Sequence, residues 1–250
     1  MLTPVVLSGA VSSFDLLAWS SPGWGATLVA GLWNTCLIAF GAYALGLLIG
    51  VAGAFGKLYG GPVTRDFLGV YTTLVRAVPE LVLLLIMNFA VRDLINQAML
   101  AMGYGRVELS GVAIGIIILG VVQGAYSTEV LRGAILSVPA GQIEAARAMG
   151  MSPTLLARRI TLPLMAAAAV PGLANLWLTV TKDTALLSVL GFIELTKATS
   201  LAAQTTKAFF TFYLAAGVLY LALSLVSVVI FGRIERWARK GQRTLEGGAH

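Results

Sequence analysis

The chain has 250 residues, of which 58% are hydrophobic and only 11% charged, and its formal net charge is +6. That composition excludes an ordinary water-soluble domain and fits one multi-span membrane domain. The cations flank apolar runs, so the basic balance speaks for membrane anchoring and against nucleic acid. One cysteine, Cys36, excludes an intrachain disulfide or a cysteine-rich metal site, and the only histidine is His250. No Lys or Arg precedes Lys57, so no basic leader is expected and the chain reads as mature protein.

Residues 1–23 hold short apolar pieces broken by polar and turn residues. They are expected to form an outer arm, either loosely ordered or lying along the interface with Trp19 and Trp24 at headgroup depth. Ala26 to Gly56 carries no charge and forms the first predicted span, long enough to tilt. Within it Ala42, Gly46, Gly50 and Ala54 recur every fourth residue, a face suited to close helix packing. A turn-rich loop, Lys57 to Asp66, follows.

Phe67 to Val91 is the second predicted span. It carries Arg76 and Glu80 one turn apart with Pro79 between them. Charges at membrane depth face a cavity or each other, and proline loosens the turn before it. Two readings stay open: an internal Arg76–Glu80 pair that holds a kinked helix, or a contribution to a translocation path. Arg92 to Glu108 reads as a polar connection. Leu109 to Thr128 is the third span, with Gly111, Gly115, Gly120 and Gly124 as further packing positions. Glu129 is expected to pair with Arg132 at i,i+3, with contact to cargo as the alternative.

The stretch from Ser137 to Pro163 lies between two apolar runs, yet it is written as two short helices. Gly150 suits the left-handed position past a helix C-terminus. Ser152-Pro153 supplies an N-cap hydroxyl followed by proline at the first helical position. Ala145, Ala146, Ala148 and Gly150 leave a shallow surface for a partner; an ordered loop without one is the bland alternative. Ile160 to Thr181 is the fourth span, kinked at Pro171, in which Asn175 needs a partner inside the bundle. Lys182-Asp183-Thr184 closes it. Glu194, Lys197 and Lys207 fall in a polar connection, and Ala208 to Gly232 is the fifth span. The tail carries Arg233, Arg236, Arg239, Lys240 and Arg243, with Trp237 as an interface anchor; binding of anionic lipid is the further reading. The expected layout is an outer arm (1–23), a five-span domain (24–240) containing loop 137–163, and a cytoplasmic tail (241–250).

Five spans put the termini on opposite sides. With the N-terminus outside, eleven Lys and Arg residues fall inside and five fall outside (Arg92, Arg106, Lys182, Lys197 and Lys207), which predicts N-out, C-in. The loop 137–163 then lies in the cytoplasm.

Glu144-Ala145-Ala146, Gly150, Ile160, Leu162 and Pro163 fit the pattern E-A-A-x3-G-x9-I-x-L-P without a gap. This resembles the coupling loop, or EAA motif, of binding-protein-dependent ATP-binding-cassette (ABC) importer permeases. The likeness extends to Tyr71-Thr72-Thr73-Leu74-Val75-Arg76-Ala77-Val78-Pro79-Glu80, Gly124 to Glu129, Arg132-Gly133 and Lys182 to Leu186, similar to polar-amino-acid permeases. Ala77 replaces the small residue, often Gly, that is usual after the arginine. Glu80 resembles the branch that carries basic amino acids.

The resemblance implies an all-α, five-span type I importer permease in a bacterial cytoplasmic (inner) membrane. Its implied cargo is a polar amino acid, basic by the Glu80 likeness: histidine, arginine, lysine, ornithine or an opine. Implied partners are an ABC ATPase dimer, a second permease subunit (a paralogue rather than a copy), a periplasmic or surface amino-acid-binding protein, and membrane lipids. In that family ATP binding closes the ATPases, the coupling loops follow, and the pathway opens outward. No cofactor is expected on this chain, which lacks a phosphate-binding G-x-x-x-x-G-K-[ST] loop. ATP and Mg are expected on the partner, so the chain is expected to be a transport subunit and not an enzyme. Arg76, Pro79, Glu80, Glu129, Asn175, Lys182, Asp183 and Thr184 are the expected substrate path. An ion-gradient-driven secondary amino-acid transporter is the alternative; it predicts internal repeats, which five spans do not display.

Overall fold

A computed structural model describes residues 13–20 and 23–240. Most of the outer arm and the tail from 241, including Arg243 and His250, lie outside the described residues. The described chain is helical, with no strand. A short helix, α1 (Ser13–Leu16), precedes the long α2 (Gly25–Tyr59). Then come α3 (Pro62–Ala77), α4 (Glu80–Ala101) and α5 (Gly111–Leu136). Past α5, α6 (Ala140–Ala148) leads to α7 (Pro153–Leu156), which passes through a widened π turn, Ala157–Thr161, into α8 (Leu162–Asp183). A tight 3₁₀ turn (Thr184–Ser188), α9 (Leu195–Thr206) and α10 (Phe209–Ala238) complete the chain. Five helical stretches are long and apolar enough to cross a membrane: Gly25–Tyr59, Glu80–Ala101, Gly111–Leu136, Pro153–Ser188 and Phe209–Ala238.

The second span differs from the sequence expectation. Phe67 to Val91 is not one helix. Val78 is extended (φ −86°, ψ 138°), so α3 stops at Ala77 and the spanning helix starts at Glu80 and continues to Ala101. Proline disfavours helix for the residue before it and donates no backbone hydrogen bond. At Pro79 both effects coincide, and the helix breaks where the sequence predicted a kink. Arg92, expected in a polar connection, lies inside α4.

α5 is the central helix, and it packs against α2 along most of its length. The reason is the small-residue face of α2. A Cβ on Gly46 would sit 2.6 Å from Cγ of Gln123, and one on Gly50 would collide with Ser127. In return, Gly120 and Gly124 of α5 admit Leu45 and Ile49. The main core gathers Ile38, Val75, Leu84, Ile114, Ile118, Val180 and Leu187 around this pair. A second cluster at the N-terminal end of α2 joins Leu28 to Leu195 and Phe212, with Trp24 packed against it. A third, at the end bearing loop 137–163, joins Ala54, Leu131, Ala134 and Ala169. Tyr43 stands edge-on to Trp177 at 5.3 Å, and the Trp177 indole donates to Ser227 at 2.8 Å, tying α2, α8 and α10 together.

Candidate functional site

Two regions carry the expected residues: the corner between α6 and α7, and a pair of carboxyl groups deep in the bundle. At the corner, α6 ends with Gly150 at φ +77°. The Met151 amide donates to the Ala146 carbonyl (3.1 Å) and the Gly150 amide to that of Arg147 (2.9 Å), the paired closure of a Schellman motif. Ser152 then caps α7 by accepting from the Leu155 amide at 3.4 Å, with Pro153 in the first turn. Glu144, Ala145, Ala148 and Gly150 are exposed, and Met149 is 78% exposed. Ala146 is the exception to the expected shallow surface: it is buried, because the i,i+1 step from Ala145 turns it toward the protein.

The second helix of this loop is not separate from the membrane helix. Ile160 lies in the π turn, and Leu162 and Pro163 open α8. Pro163 cannot donate to the carbonyl four residues back, and its ring would press on that group. The widened turn relieves this, with the Leu162 amide donating to Ala157. One helical rod therefore runs from Pro153 to Asp183.

Deep in the bundle, the start of α4 meets the end of α8. The half-buried carboxyl groups of Glu80 and Asp183 lie close enough to influence each other electrostatically. Arg76, one of the two partners left open for Glu80, is exposed, and no ion pair joins them among the described residues. The break at Pro79 is the cause: it removes the i,i+4 geometry that would have paired them. Depth follows from packing. Gly172 of α8 backs onto Val130, beside Glu129. Asp183 lies about 16 Å further along the rod, half of a ~30 Å hydrocarbon core.

The remaining expected path residues separate. Glu129 pairs with Arg132 (3.0 Å), as expected, and also with Lys57 (2.5 Å). Lys57 further donates to Thr72 at 2.6 Å, joining α2, α3 and α5. Asn175 is exposed on the outside of this chain rather than partnered within its bundle, and Lys182 is also exposed. Thr184 is fully buried and donates to the Thr181 carbonyl at 2.8 Å.

Sequence reasoning missed Glu194. It is fully buried and caps α9, accepting from the Thr196 and Lys197 amides at 2.8 Å each. Tyr220 donates to it at 3.0 Å. Burial pushes its carboxyl up, and those donors pull it back. Glutamate is not among the preferred N-cap residues, so nothing in the residue order marks a cap there.

Residues 42–240 match the family described as binding-protein-dependent transport system inner membrane component. The chain is similar to the nopaline transport system permease protein NocQ of Agrobacterium fabrum, with 41% identity over 92% of this chain and 98% of the relative. It is similar to the histidine/lysine/arginine/ornithine transport system permease protein HisQ of Escherichia coli, with 39% identity over 86% of this chain and 94% of the relative. Among solved structures, that of an amino acid ABC transporter with histidines matches with a TM-score of 0.71 and 25% identity, covering 85% of this chain and 94% of that one.

Proposed function

Because the chain belongs to the binding-protein-dependent transport system inner membrane components, we propose that it forms half of an ATP-driven import path for basic amino acids or opines, with Glu80 and Asp183 selecting the cation. The carboxyl pair carries this reading. Two full negative charges about 4 Å apart repel by about 4 kcal/mol at an effective dielectric of 20. A guanidinium or ammonium group between them replaces repulsion with two charge-assisted hydrogen bonds. A neutral side chain gains neither. The names of the relatives support cargo of this chemistry: nopaline for one, histidine, lysine, arginine and ornithine for another.

The corner from Glu144 to Gly150 is the proposed seat of a separate ATPase dimer, which holds ATP and Mg. Its exposed small side chains permit close approach, and the rod from Pro153 to Asp183 carries the motion to the carboxyl pair. A second permease subunit, a paralogue rather than a copy, completes the path; the exposed Arg76, Asn175 and Lys182 are free to face it or the cargo. An amino-acid-binding protein delivers cargo on the outer face of a bacterial inner membrane.

The test uses the full complex in proteoliposomes with the binding protein saturated. Glu80→Gln and Asp183→Asn each keep shape and remove charge. A charge-assisted hydrogen bond contributes about 1.5–3 kcal/mol, so each variant should lower the preference for arginine over citrulline about ten- to hundredfold. Equal losses for both cargoes in both variants would reject the assignment.

A further inference from the structure

Three cations converge at the end of the bundle that bears the α6–α7 corner. Lys57 stands in the last turn of α2, Arg65 near the start of α3, and Arg132 about one turn before the end of α5. Together they line one cavity of about 790 Å³. Glu129 fixes two of them. One of its oxygens accepts from Lys57 at 2.5 Å, and the other accepts from Arg132 at 3.0 and 3.2 Å. The buried Thr72 hydroxyl accepts a second bond from Lys57 at 2.6 Å. An ammonium offers three N–H groups and a guanidinium five. Both cations are therefore held in place with donors still unspent. Arg65 is exposed and enters no ion pair among the described residues. Asp66 is the other acid of the cavity. Set against Glu129 and Asp66, the three cations leave one positive charge, the complement of a single phosphodiester. A basic side chain of the cargo carries the wrong sign for it.

The lining changes character with depth. Val70 and Leu74 also face the cavity, and they stay 59% and 57% exposed. Leu74 lies about 13 Å beyond Arg65 along α3, away from the corner and toward the middle of the membrane. Donors at the surface with an apolar wall below them suit an amphiphile with an anionic head better than a free anion. We infer that this cavity seats the phosphate of an anionic phospholipid from the leaflet on the corner's side, with the first carbons of an acyl chain against Val70 and Leu74. Gly69 keeps the space open, since no atom lies within 4 Å of where its Cβ would be.

The experiment is native mass spectrometry of the full complex in detergent, titrated with dioleoyl phosphatidylglycerol or dioleoyl phosphatidylcholine. Phosphatidylglycerol should bind the more tightly. Arg65→Gln removes one charge and should weaken one phosphatidylglycerol site about ten- to hundredfold, the range expected for a charge-assisted hydrogen bond. Arg65→Lys should keep most of that affinity. Gly69→Leu projects into the cavity and should remove the same site with every cation in place. Equal binding of phosphatidylcholine would overturn the inference. So would displacement of phosphatidylglycerol by millimolar inorganic phosphate, which would mark a site for the free anion. Unchanged phosphatidylglycerol affinity in both Arg65→Gln and Gly69→Leu would place the bound lipid elsewhere, the basic C-terminal residues included, and would also overturn it. If one variant fails to assemble, the other decides. Failure of both would show the second permease subunit seated on this face, and the lipid site falls.

Discussion

At the scale of single residues, Gly150 shows how a backbone angle is read from composition. Its φ of +77° suits glycine, and no other atom lies within 4 Å of where a Cβ would be. A substitution there meets only the backbone penalty, roughly 1–2 kcal/mol for a branched side chain in the left-handed region. Gly150→Val should therefore shift the α6–α7 corner and reduce both uptake and stimulation of the ATPase, while the subunit still reaches the membrane. Gly150→Asn, which tolerates that region, should keep most of both. Normal uptake with normal stimulation in the valine variant would sink the coupling role. Glu80 shows the opposite case. Its spacing from Arg76 pointed to a local pair, because i,i+4 neighbours meet on an unbroken helix. The break at Pro79 cancels that geometry, and the partner that replaces Arg76 sits on α8. Nothing local in the sequence marks Asp183 as that partner.

At the scale of elements, the helices that were legible are those whose signals are local. The Ala42–Ala54 repeat, the Ser152-Pro153 start and the Gly150 stop all appear where expected. The second span was misplaced because hydropathy runs smoothly across Val78 and Pro79, while the chain does not. Likewise the loop 137–163 reads as two short helices by its caps, but the far end of the second has no stop signal and merges with α8. The α2–α5 contact also makes a quantitative prediction. Gly46→Leu must displace Gln123, and overpacking of a close-packed contact costs about 1–3 kcal/mol. The melting temperature and yield of the complex should fall. Gly217→Leu is the control: no atom of this chain lies within 4 Å of its Cβ position. Equal effects at the two sites would contradict the packing described for α2 and α5.

At the scale of the whole molecule, the charge bias predicts the orientation. Eight of the counted cations lie within candidate spans, Lys57, Arg92, Arg132, Arg158, Arg159, Lys182, Arg233 and Arg236; outside the spans, Arg65, Arg147, Arg239, Lys240 and Arg243 on the predicted inner side still outnumber Arg106, Lys197 and Lys207 on the predicted outer side. Single cysteines in place of Tyr104 and Met149, both well exposed, report the two faces in a Cys36→Ser background. An impermeant thiol reagent should label position 104 in spheroplasts and position 149 only after permeabilisation; the reverse pattern would invert the topology. The merged rod gives this orientation a mechanical meaning. From Pro153 to Pro171 it measures about 27 Å, and from Pro171 to Asp183 about 18 Å. Pivoting there as a stiff body, it would act as a lever with its longer arm in reach of the α6–α7 corner. A swing of about 5° around Pro171 would move the loop end by roughly 2.4 Å and Asp183 by roughly 1.6 Å in the opposite sense. A shift of that size along the line between the two carboxyl groups would change their separation by about half a hydrogen-bond length, so the gap between Glu80 and Asp183 would become a gauge of where the corner stands.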